Sequence, residues 1–287
     1  MEASIAEALV RPAGVTASDV PAVTRAFESA FALVRSDGAD VVSQHGFDAE
    51  AIELATGLPV LHTLHLGPVA PAVVAAARAT AAPLAVPSEA SRRDWSAAGV
   101  ETRVLRNGTP DFDPGQVEVG PYALLAGRIA PEKGTATGIR AARRAGLRPL
   151  VVGPVYDASY YRDEVSPLLQ PGEQLPAQPR ERLWRMMARA TVTLMPIEWA
   201  EPYGLVAAEA QVGGCPVVAF ARGALPEVIA DGVGGALVQP GDFEGFVAAI
   251  PRAAELDRSA VRSSARDRLL IDAAVDGYER VLAQVAG

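Results

Sequence analysis

Apolar and polar positions alternate along the chain in two rhythms. After Ser18, which can cap a helix, apolar residues recur at helical spacing. Short runs of β-branched residues follow, each bounded by turn residues and separated from the next run by another helical pattern. This alternation predicts parallel βαβ units. In the first part of the chain the predicted strands cover residues 41–43, 60–65, 84–86 and 102–105.

The alternation stops near residue 107 and restarts near residue 122. The segment between is rich in proline, glycine and aspartate and has no sustained apolar period, which is typical of an interdomain linker. Beyond it, strands are predicted at residues 122–126, 150–152, 192–195, 217–219 and 236–238, and helices at residues 132–145, 158–169, 179–189, 205–212 and 226–230. We therefore predict an α/β fold with two Rossmann-like doubly wound domains, at residues 1–110 and 122–287, joined by a linker at 111–121.

The first predicted domain is shorter than its type requires. A doubly wound domain begins with a strand and a glycine-rich turn ahead of its first helix. Residues 1–17 offer only one short helical stretch and a single glycine, Gly14. We expect that about a third of a complete N-terminal domain is missing.

Composition narrows the class of protein. The 287 residues carry a formal net charge of −8, which disfavours a broad basic face for nucleic acid. A single cysteine, Cys215, excludes an intramolecular disulfide and favours a reducing, cytoplasmic location. The longest apolar stretch, near residues 69–77, is far shorter than a membrane span, so any membrane contact is expected to be peripheral. Arginine clusters at residues 140–144 and 180–189 are interpreted as solvated helix faces.

The first segment with candidate chemistry is GRIAPEKG at residues 127–134, after a predicted strand and at the start of a predicted helix. The first turn of a helix presents backbone N–H groups and the positive end of the helix dipole, which together attract anions. Arg128 and Lys133 add two cations beside it. The segment predicts a diphosphate-binding loop, but an ordinary strand-to-helix turn with solvated cations explains the octapeptide equally well.

The second segment, EWAEPYGLVAAE at residues 198–209, runs from the turn after a predicted strand into a helix. Glu201 lies at the carboxyl edge of the predicted sheet, where open α/β sheets bind ligands, and Glu209 lies about a turn and a half into the helix. Carboxylates accept hydrogen bonds from neighbouring hydroxyls, so this pair suits a sugar at one end and a ribose diol at the other. Taken alone, such a pair is more often a surface feature satisfied by salt bridges.

With GGCPVV at residues 213–218 and GALPEVI at 223–229, these segments resemble the C-terminal domain of family-4 glycosyltransferases over residues 122–250. The resemblance implies a GT-B fold with an acceptor-side first domain and a donor-binding second domain. It also implies a hexosyltransferase-type enzyme that moves a sugar from a nucleoside-diphosphate sugar to an acceptor hydroxyl, with retention at the anomeric carbon.

The resemblance assigns roles to individual residues. Arg128 and Lys133 would hold the diphosphate and neutralise the leaving group. Glu201 would bind hydroxyls of the transferred sugar, and Glu209 would bind the ribose. The remaining donor contacts would come from the backbone around Gly127, Tyr203, Gly204 and Leu205.

A weaker resemblance extends into the first domain through residues 40–46 and through PVLHTLH at residues 59–65. It implies that His65 lies near the sugar and joins Arg128, Lys133 and Glu201 as a catalytic residue; the alternative is a structural histidine at a strand end. His62 is interpreted as structural. On a strand, residues three apart point to opposite faces, which disfavours a metal shared by the two histidines.

No metal or cofactor is predicted. Asp111 and Asp113 form an Asp-x-Asp pair in the linker, where turn formation is the favoured interpretation. The implied partners are the nucleotide-sugar donor, an acceptor with a hydroxyl, and a second copy or a partner chain that completes the first domain. The alternative function is a non-catalytic or partner-dependent nucleotide-sugar-binding subunit.

Overall fold

The computed structural model describes residues 20–287 and divides the chain into two compact units. The first unit runs to Arg106 and includes Ala274–Gly287, and the second unit is Asn107–Ala273. Ser18 and residues 1–17, on which the predicted helix cap and the shortened N-terminus depend, lie outside the described residues. The predicted boundaries differ at both ends of the second unit, which includes residues 107–121, predicted as the end of the first domain and the linker, and excludes residues 274–287.

The first unit is a parallel sheet with helices between its strands. Its strands are β1 (Val42–Gln44), β2 (Val60–Thr63), β3 (Leu84–Val86) and β4 (Arg103–Val104), and its helices are α1 (Val20–Asp37), α2 (Ala49–Glu53), α3 (Pro71–Ala79) and α4 (Glu89–Ala97). The four strands pair in chain order, all parallel, which confirms the predicted βαβ units. Ser88 caps α4 by accepting a 3.0 Å hydrogen bond from the Ser91 N–H.

Both faces of this first sheet are covered by apolar side chains. On one face, Trp95 of α4 packs in a cluster with Val86 of β3. On the other face, Val281 of the C-terminal helix (Ile271–Ala286) packs with Leu61 and Ala85. This contact is the reason that the end of the chain belongs to the first unit.

The second unit contains the larger sheet. Its strands are β5 (Gly120–Ala126), β6 (Arg148–Val152), β7 (Gln174–Leu175), β8 (Ala190–Met195), β9 (Val217–Phe220) and β10 (Gly235–Val238). Its helices are α5 (Thr135–Arg144), α6 (Ala158–Tyr160), α7 (Arg180–Arg189), α8 (Leu205–Val212), α9 (Leu225–Val228), α10 (Phe243–Ala254) and α11 (Arg258–Leu269). The C-terminal helix, α12, belongs to the first unit from Ala274 onward.

The strand order of the second sheet is β10-β9-β8-β5-β6-β7, and every pair is parallel. The first strand in chain order, β5, therefore lies in the middle, and the order reverses between β5 and β8. Such a reversal is a topological switch point, and open α/β sheets bind ligands beyond the carboxyl ends of the strands that flank it. Successive residues of β5 enter different cores: Leu124 packs in the core on one face of the sheet, and Leu125 packs in the core on the other face.

Two predicted helices differ from the structure, and one strand was not predicted. The helix predicted from residue 132 begins instead at Thr135, after a 3-10 turn at Pro131–Lys133 and a left-handed Gly134 with φ 63°. The helix predicted at 158–169 is three short pieces: α6, a π turn at Tyr161–Val165 and a 3-10 turn. Strand β7 has only two residues, too few for an apolar period to reveal it.

The arginine clusters were predicted to be solvated helix faces, but some of their members are bonded to other residues. Arg143 donates a 2.6 Å hydrogen bond to the buried carboxylate of Glu173 and another to the Leu168 carbonyl. Arg180 is bonded to Glu209, whereas Arg144 forms an exposed pair with Glu244. Within residues 20–287, no helix is both long and apolar enough to cross a membrane.

The loop after β5 depends on a glycine that no other residue can replace without movement of the backbone. A Cβ at Gly134 would lie 1.9 Å from the Pro196 carbonyl oxygen, in the loop after β8. Gly146 is also left-handed, with φ 75°, but a Cβ there would meet nothing within 4 Å. We predict that Gly146→Ala costs about 1 kcal/mol through backbone conformation alone. Gly134→Ala should cost roughly 1–3 kcal/mol more, because the methyl group also overlaps Pro196.

Urea unfolding of the two variants checks this prediction. Equal losses of unfolding free energy in Gly134→Ala and Gly146→Ala would contradict the close approach of the two loops.

Candidate functional site

The loops after β5 and β6 are held together by two glycines. Gly127 donates its N–H to the Val152 carbonyl, and Gly153 donates to the Leu175 carbonyl. A Cβ at Gly153 would lie 1.8 Å from the Gly127 carbonyl oxygen, so only glycine allows this approach. The contact fixes the direction in which the GRIAPEKG segment leaves the sheet.

Arg128 lies in this loop, beside the sheet edge. Its guanidinium stands 4.6 Å from the centroid of the Tyr156 ring, and its Nη2 is 3.5 Å from Oε1 of the buried Glu132. The Glu132 carbonyl in turn accepts a 2.9 Å hydrogen bond from the Glu198 N–H in the loop after β8. Arg128 is therefore held by the loops that follow β5 and β6, and Glu132 ties the first of these to the loop after β8.

Lys133 and Glu201 connect the two loops on either side of the switch point. Lys133 Nζ lies 2.7 Å from Glu201 Oε2, and the indole N–H of Trp199 donates to the same oxygen at 2.8 Å. The Lys133 ammonium also lies 5.1 Å from the centroid of the Trp199 ring. The side chains of Lys133 and Glu201 are only 20% and 13% exposed, so this ion pair is partly desolvated and stronger than a surface ion pair.

One oxygen of Glu201 is left over by this arrangement. Within the described part of the chain, no hydrogen bond reaches Glu201 Oε1, and this oxygen is not enclosed. The backbone of the same residue is fixed as well, because its carbonyl accepts from the Ala224 N–H at 2.8 Å. A Cβ at Gly223 would lie 2.3 Å from that carbonyl, which explains the glycine of the GALPEVI segment. Glu201 is thus oriented with one acceptor to offer.

The start of α8 follows directly. Gly204 is the N-cap, with φ 96° and ψ 54°, and a Cβ there would lie 2.7 Å from a methyl of Leu225. Tyr203 is buried before it, and Leu205 is partly exposed after it. The Ala207 N–H donates to the Gly204 carbonyl, but among the described residues the N–H groups of Leu205 and Val206 have no acceptor. This end of α8 can therefore receive an anion beside Glu201.

Glu209, one turn further along α8, is 6% exposed and accepts two hydrogen bonds from Arg180. Glu209 was predicted as a site residue, but its partner Arg180, 29 residues away along the chain, was not. Trp199, inside the quoted segment and two residues from Glu201, was also missed; an indole between two glutamates was the available signal.

The helix after the GRIAPEKG segment begins later than predicted, and one N–H of its first turn is already bonded. Its start is Thr135, beyond the two cations, and the Ala136 N–H already donates to the Tyr160 hydroxyl at 2.9 Å. The cations themselves remain at the sheet edge. The candidate anion site is therefore formed by Arg128, Lys133 and the start of α8.

The linker aspartates have different roles. Asp113 accepts from the Gly115 N–H at 2.9 Å, which is the predicted turn. Asp111 instead accepts from Arg266 at 2.7 Å and from Arg262 at 3.3 Å on α11, so turn formation is wrong for this residue. Among the described residues, no group of three or more His, Cys, Asp or Glu side chains could hold a metal ion.

The three histidines of the chain lie in the first unit. His62 is fully buried, and its Nδ1 is 3.0 Å from Gln44 Oε1. His65 lies beyond the end of β2, with its Nε2 2.9 Å from Nδ1 of His45, whose other nitrogen is 2.9 Å from the Ser43 hydroxyl. His62 and His65 were not expected to act together, and the structure pairs His65 with His45 instead.

Burial lowers the pKa of each histidine. The pKa of His65 falls below its usual value through burial and, to a smaller extent, through the neighbouring His45. Burial also lowers the pKa of His45. For His62, burial lowers the pKa to about 4. The His45–His65 pair is consequently neutral near pH 7, so either ring can donate or accept a hydrogen bond.

The strand order and the polar groups at the switch point define the second unit as a doubly wound α/β domain with a ligand-binding edge. The model of the family described as glycosyl transferases group 1 matches residues 111–268, more than half of the chain. The chain belongs to this family.

Curated relatives cover part of the chain. It is 43% identical over 116 residues to the D-inositol 3-phosphate glycosyltransferase of Mycolicibacterium vanbaalenii, covering 38% of this chain and 26% of that protein. It is 29% identical over 215 residues to the protein of the same name from Mycolicibacterium smegmatis, covering 68% of this chain and 49% of that protein. The chain thus spans half or less of the curated relatives that it matches.

Solved structures share the fold over most of the chain. Sucrose-phosphate synthase from Thermosynechococcus elongatus superposes with a TM-score of 0.78 at 21% identity, covering 94% of this chain and 80% of that one. Anabaena Alr3699/HepE in complex with UDP and glucose gives a TM-score of 0.72 at 20% identity, covering 89% and 81%. These similarities confirm the predicted GT-B fold.

The buried His62 makes the stability of the first unit depend on pH. Its pKa is 6.5 in an unfolded chain and about 4 in the folded one, so between these values the unfolded chain binds the proton more readily. The contribution of the neutral His62 to the free energy of unfolding is fully present above about pH 6.5, and it is lost as the pH drops toward 4. We predict a loss on the order of 3 kcal/mol across this window.

The measurement is urea unfolding of the wild type and of His62→Gln at pH 7.5, 6, 5 and 4.5. The difference between the two proteins isolates His62 from the other titrating groups. If the wild type lost no more stability than His62→Gln on acidification, the buried neutral histidine would be refuted.

Proposed function

We propose that this chain transfers a sugar from a nucleoside-diphosphate sugar to an acceptor hydroxyl with retention at the anomeric carbon. The donor site lies at the switch point of the second unit. The observation that carries this proposal is the Lys133–Glu201 contact, at 2.7 Å, between the loops after β5 and β8. It brings a cation and a half-satisfied carboxylate together where an open α/β sheet binds its ligand.

The sugar, the diphosphate and the ribose of the donor bind in this order between Glu201 and Glu209. The accessible Oε1 of Glu201 accepts hydrogen bonds from hydroxyls of the sugar. Arg128, Lys133 and the first-turn N–H groups of α8 receive the diphosphate. Glu209, on the same helix, receives the ribose hydroxyls. The anionic diphosphate thus meets cations and N–H donors, and the hydroxyls of the sugar and the ribose meet carboxylate acceptors.

The similar proteins support this assignment. The curated relatives are named glycosyltransferases. The similar Anabaena protein was solved in complex with UDP-glucose and with UDP. A uridine nucleotide is therefore the first donor base to test.

Charge develops on the diphosphate as the bond to the sugar breaks. Fixed cations and helix N–H groups at that position stabilise the leaving group without reorganisation. In the proposed mechanism the acceptor hydroxyl attacks the anomeric carbon from the face that the diphosphate leaves, and its proton passes to the departing diphosphate. NMR of an enzymatic product tests the stereochemistry, and an inverted anomer would refute retention.

Thermal shifts with nucleoside diphosphates and their sugars test the proposed donor site. A ligand present at 100 times its dissociation constant adds ~2.7 kcal/mol to the apparent stability. We expect at least one member of a panel of uridine, guanosine, adenosine and thymidine diphosphates to stabilise the chain. A flat response to the whole panel would overturn the proposal.

The two glutamates should have separable effects. We predict that Glu209→Ala weakens a nucleoside diphosphate and its sugar conjugate equally, by about tenfold, because both ligands carry the ribose. Glu201→Ala should weaken the sugar conjugate more than the free diphosphate, because both ligands lose the positioning of Lys133 but only the conjugate also loses the hydroxyl contacts to Glu201. Isothermal titration measures both affinities.

Glu244→Ala is the matched control, since Glu244 is exposed on α10 and forms a surface pair with Arg144. Its affinities should equal those of the wild type. Equal losses for both ligands in Glu201→Ala would contradict the assignment of Glu201 to the sugar.

A further inference from the structure

Arg180 donates two hydrogen bonds to the Glu209 carboxylate. Its Nε lies 3.0 Å and its Nη2 2.8 Å from Glu209, and both distances end at the same oxygen, Oε1. The Glu209 side chain is 8% exposed, whereas that of Arg180 is 53% exposed. A buried carboxylate is thus neutralised by a guanidinium at the surface.

Aromatic rings hold the guanidinium from its other side. Arg180 lies 5.2 Å from the centroid of the Trp184 ring, one turn along α7. Trp184 stacks on Phe112, with 4.5 Å between the ring centroids and 8° between their planes. A Cβ at Gly213, which follows α8, would lie 3.1 Å from Phe112. The stack therefore fixes the position of Arg180 relative to α8.

This geometry leaves one oxygen of Glu209 for a ligand. No hydrogen bond from residues 20–287 reaches Glu209 Oε2, and the atom is not enclosed. Without Arg180, a nearly buried carboxylate would lose its compensating charge and its fixed rotamer. Arg180 thus determines both the charge and the direction of the remaining acceptor.

We propose that Arg180 is a positioning residue for Glu209 and, through it, sets a preference for ribonucleoside over 2′-deoxyribonucleoside diphosphates. This inference rests on the proposed function, which places the ribose at Glu209. A carboxylate oriented toward a ribose hydroxyl rejects the analogue that lacks it, because its hydrogen bond is then unmade. Arg180 itself needs no contact with the nucleotide.

The experiment compares affinities for UDP, GDP and ADP with those for their 2′-deoxy counterparts. The proteins are the wild type, Arg180→Ala, Arg180→Gln, Glu209→Ala and the Arg180→Ala/Glu209→Ala double variant. Arg182→Ala is the matched control, because Arg182 is exposed on the same helix. Circular dichroism and melting curves establish that each variant is folded, and Arg180→Gln, which keeps much of the side chain, replaces Arg180→Ala if the latter does not fold.

In the wild type we expect the ribonucleotide to bind about tenfold more tightly than its deoxy form. In Arg180→Ala this preference should fall to about that of Glu209→Ala, while Arg182→Ala keeps it. In the Glu209→Ala background, removal of Arg180 should change neither affinity, since a residue that acts only through Glu209 has nothing left to act on.

Three results would overturn the inference. An equal loss for ribo and deoxy forms that persists in the Glu209→Ala background would show that Arg180 contacts the diphosphate directly. Tighter binding by Arg180→Ala would show that Arg180 blocks the site. A wild type that binds none of the six nucleotides would refute the proposed function itself, and the inference with it.

Discussion

The hydrogen-bonded ion pair between Lys133 and Glu201 is the contact on which the candidate site depends. It joins the loops that leave β5 and β8, the two strands on either side of the reversal in sheet order. Trp199 donates to the same carboxylate oxygen, so the other oxygen keeps a fixed direction. Because the pair is partly buried, its members are held in place before any ligand arrives, which lowers the cost of ordering them on binding.

Small residues make this contact possible. Gly134 allows the loop after β5 to reach the Pro196 carbonyl, and Gly223 allows the loop after β9 to pack on the backbone of Glu201. The same arrangement recurs at Glu209, where Arg180 occupies one oxygen and leaves the other. Each candidate ligand-binding carboxylate is therefore neutralised by a cation of the chain and still presents one acceptor.

Local sequence patterns predicted much of this fold. The predicted helix at 205–212 coincides with α8, and strands such as β3 lie where short apolar runs predicted them. These elements are set by apolar periodicity and by flanking glycines, which are local signals. The start of α5 was predicted too early because Pro131 and Glu132 favour a helix start, whereas the left-handed Gly134 delays it.

The candidate site was predicted only in part, because its groups meet through tertiary packing. Glu201 and Glu209 stand out within one short segment, and Arg128 and Lys133 within another. Arg180 has no local signal, since its partner lies on a different helix that packs beside α7. The pairing of His45 with His65 depends in the same way on the adjacency of β1 and β2.

The structure of the chain with a bound nucleoside diphosphate tests the central claim most directly. The account predicts that the diphosphate contacts Arg128, Lys133 and the first turn of α8, and that a ribose hydroxyl lies within hydrogen-bond distance of Glu209 Oε2. A nucleotide bound away from the switch point between β5 and β8, or with its ribose out of reach of Glu209, would contradict it.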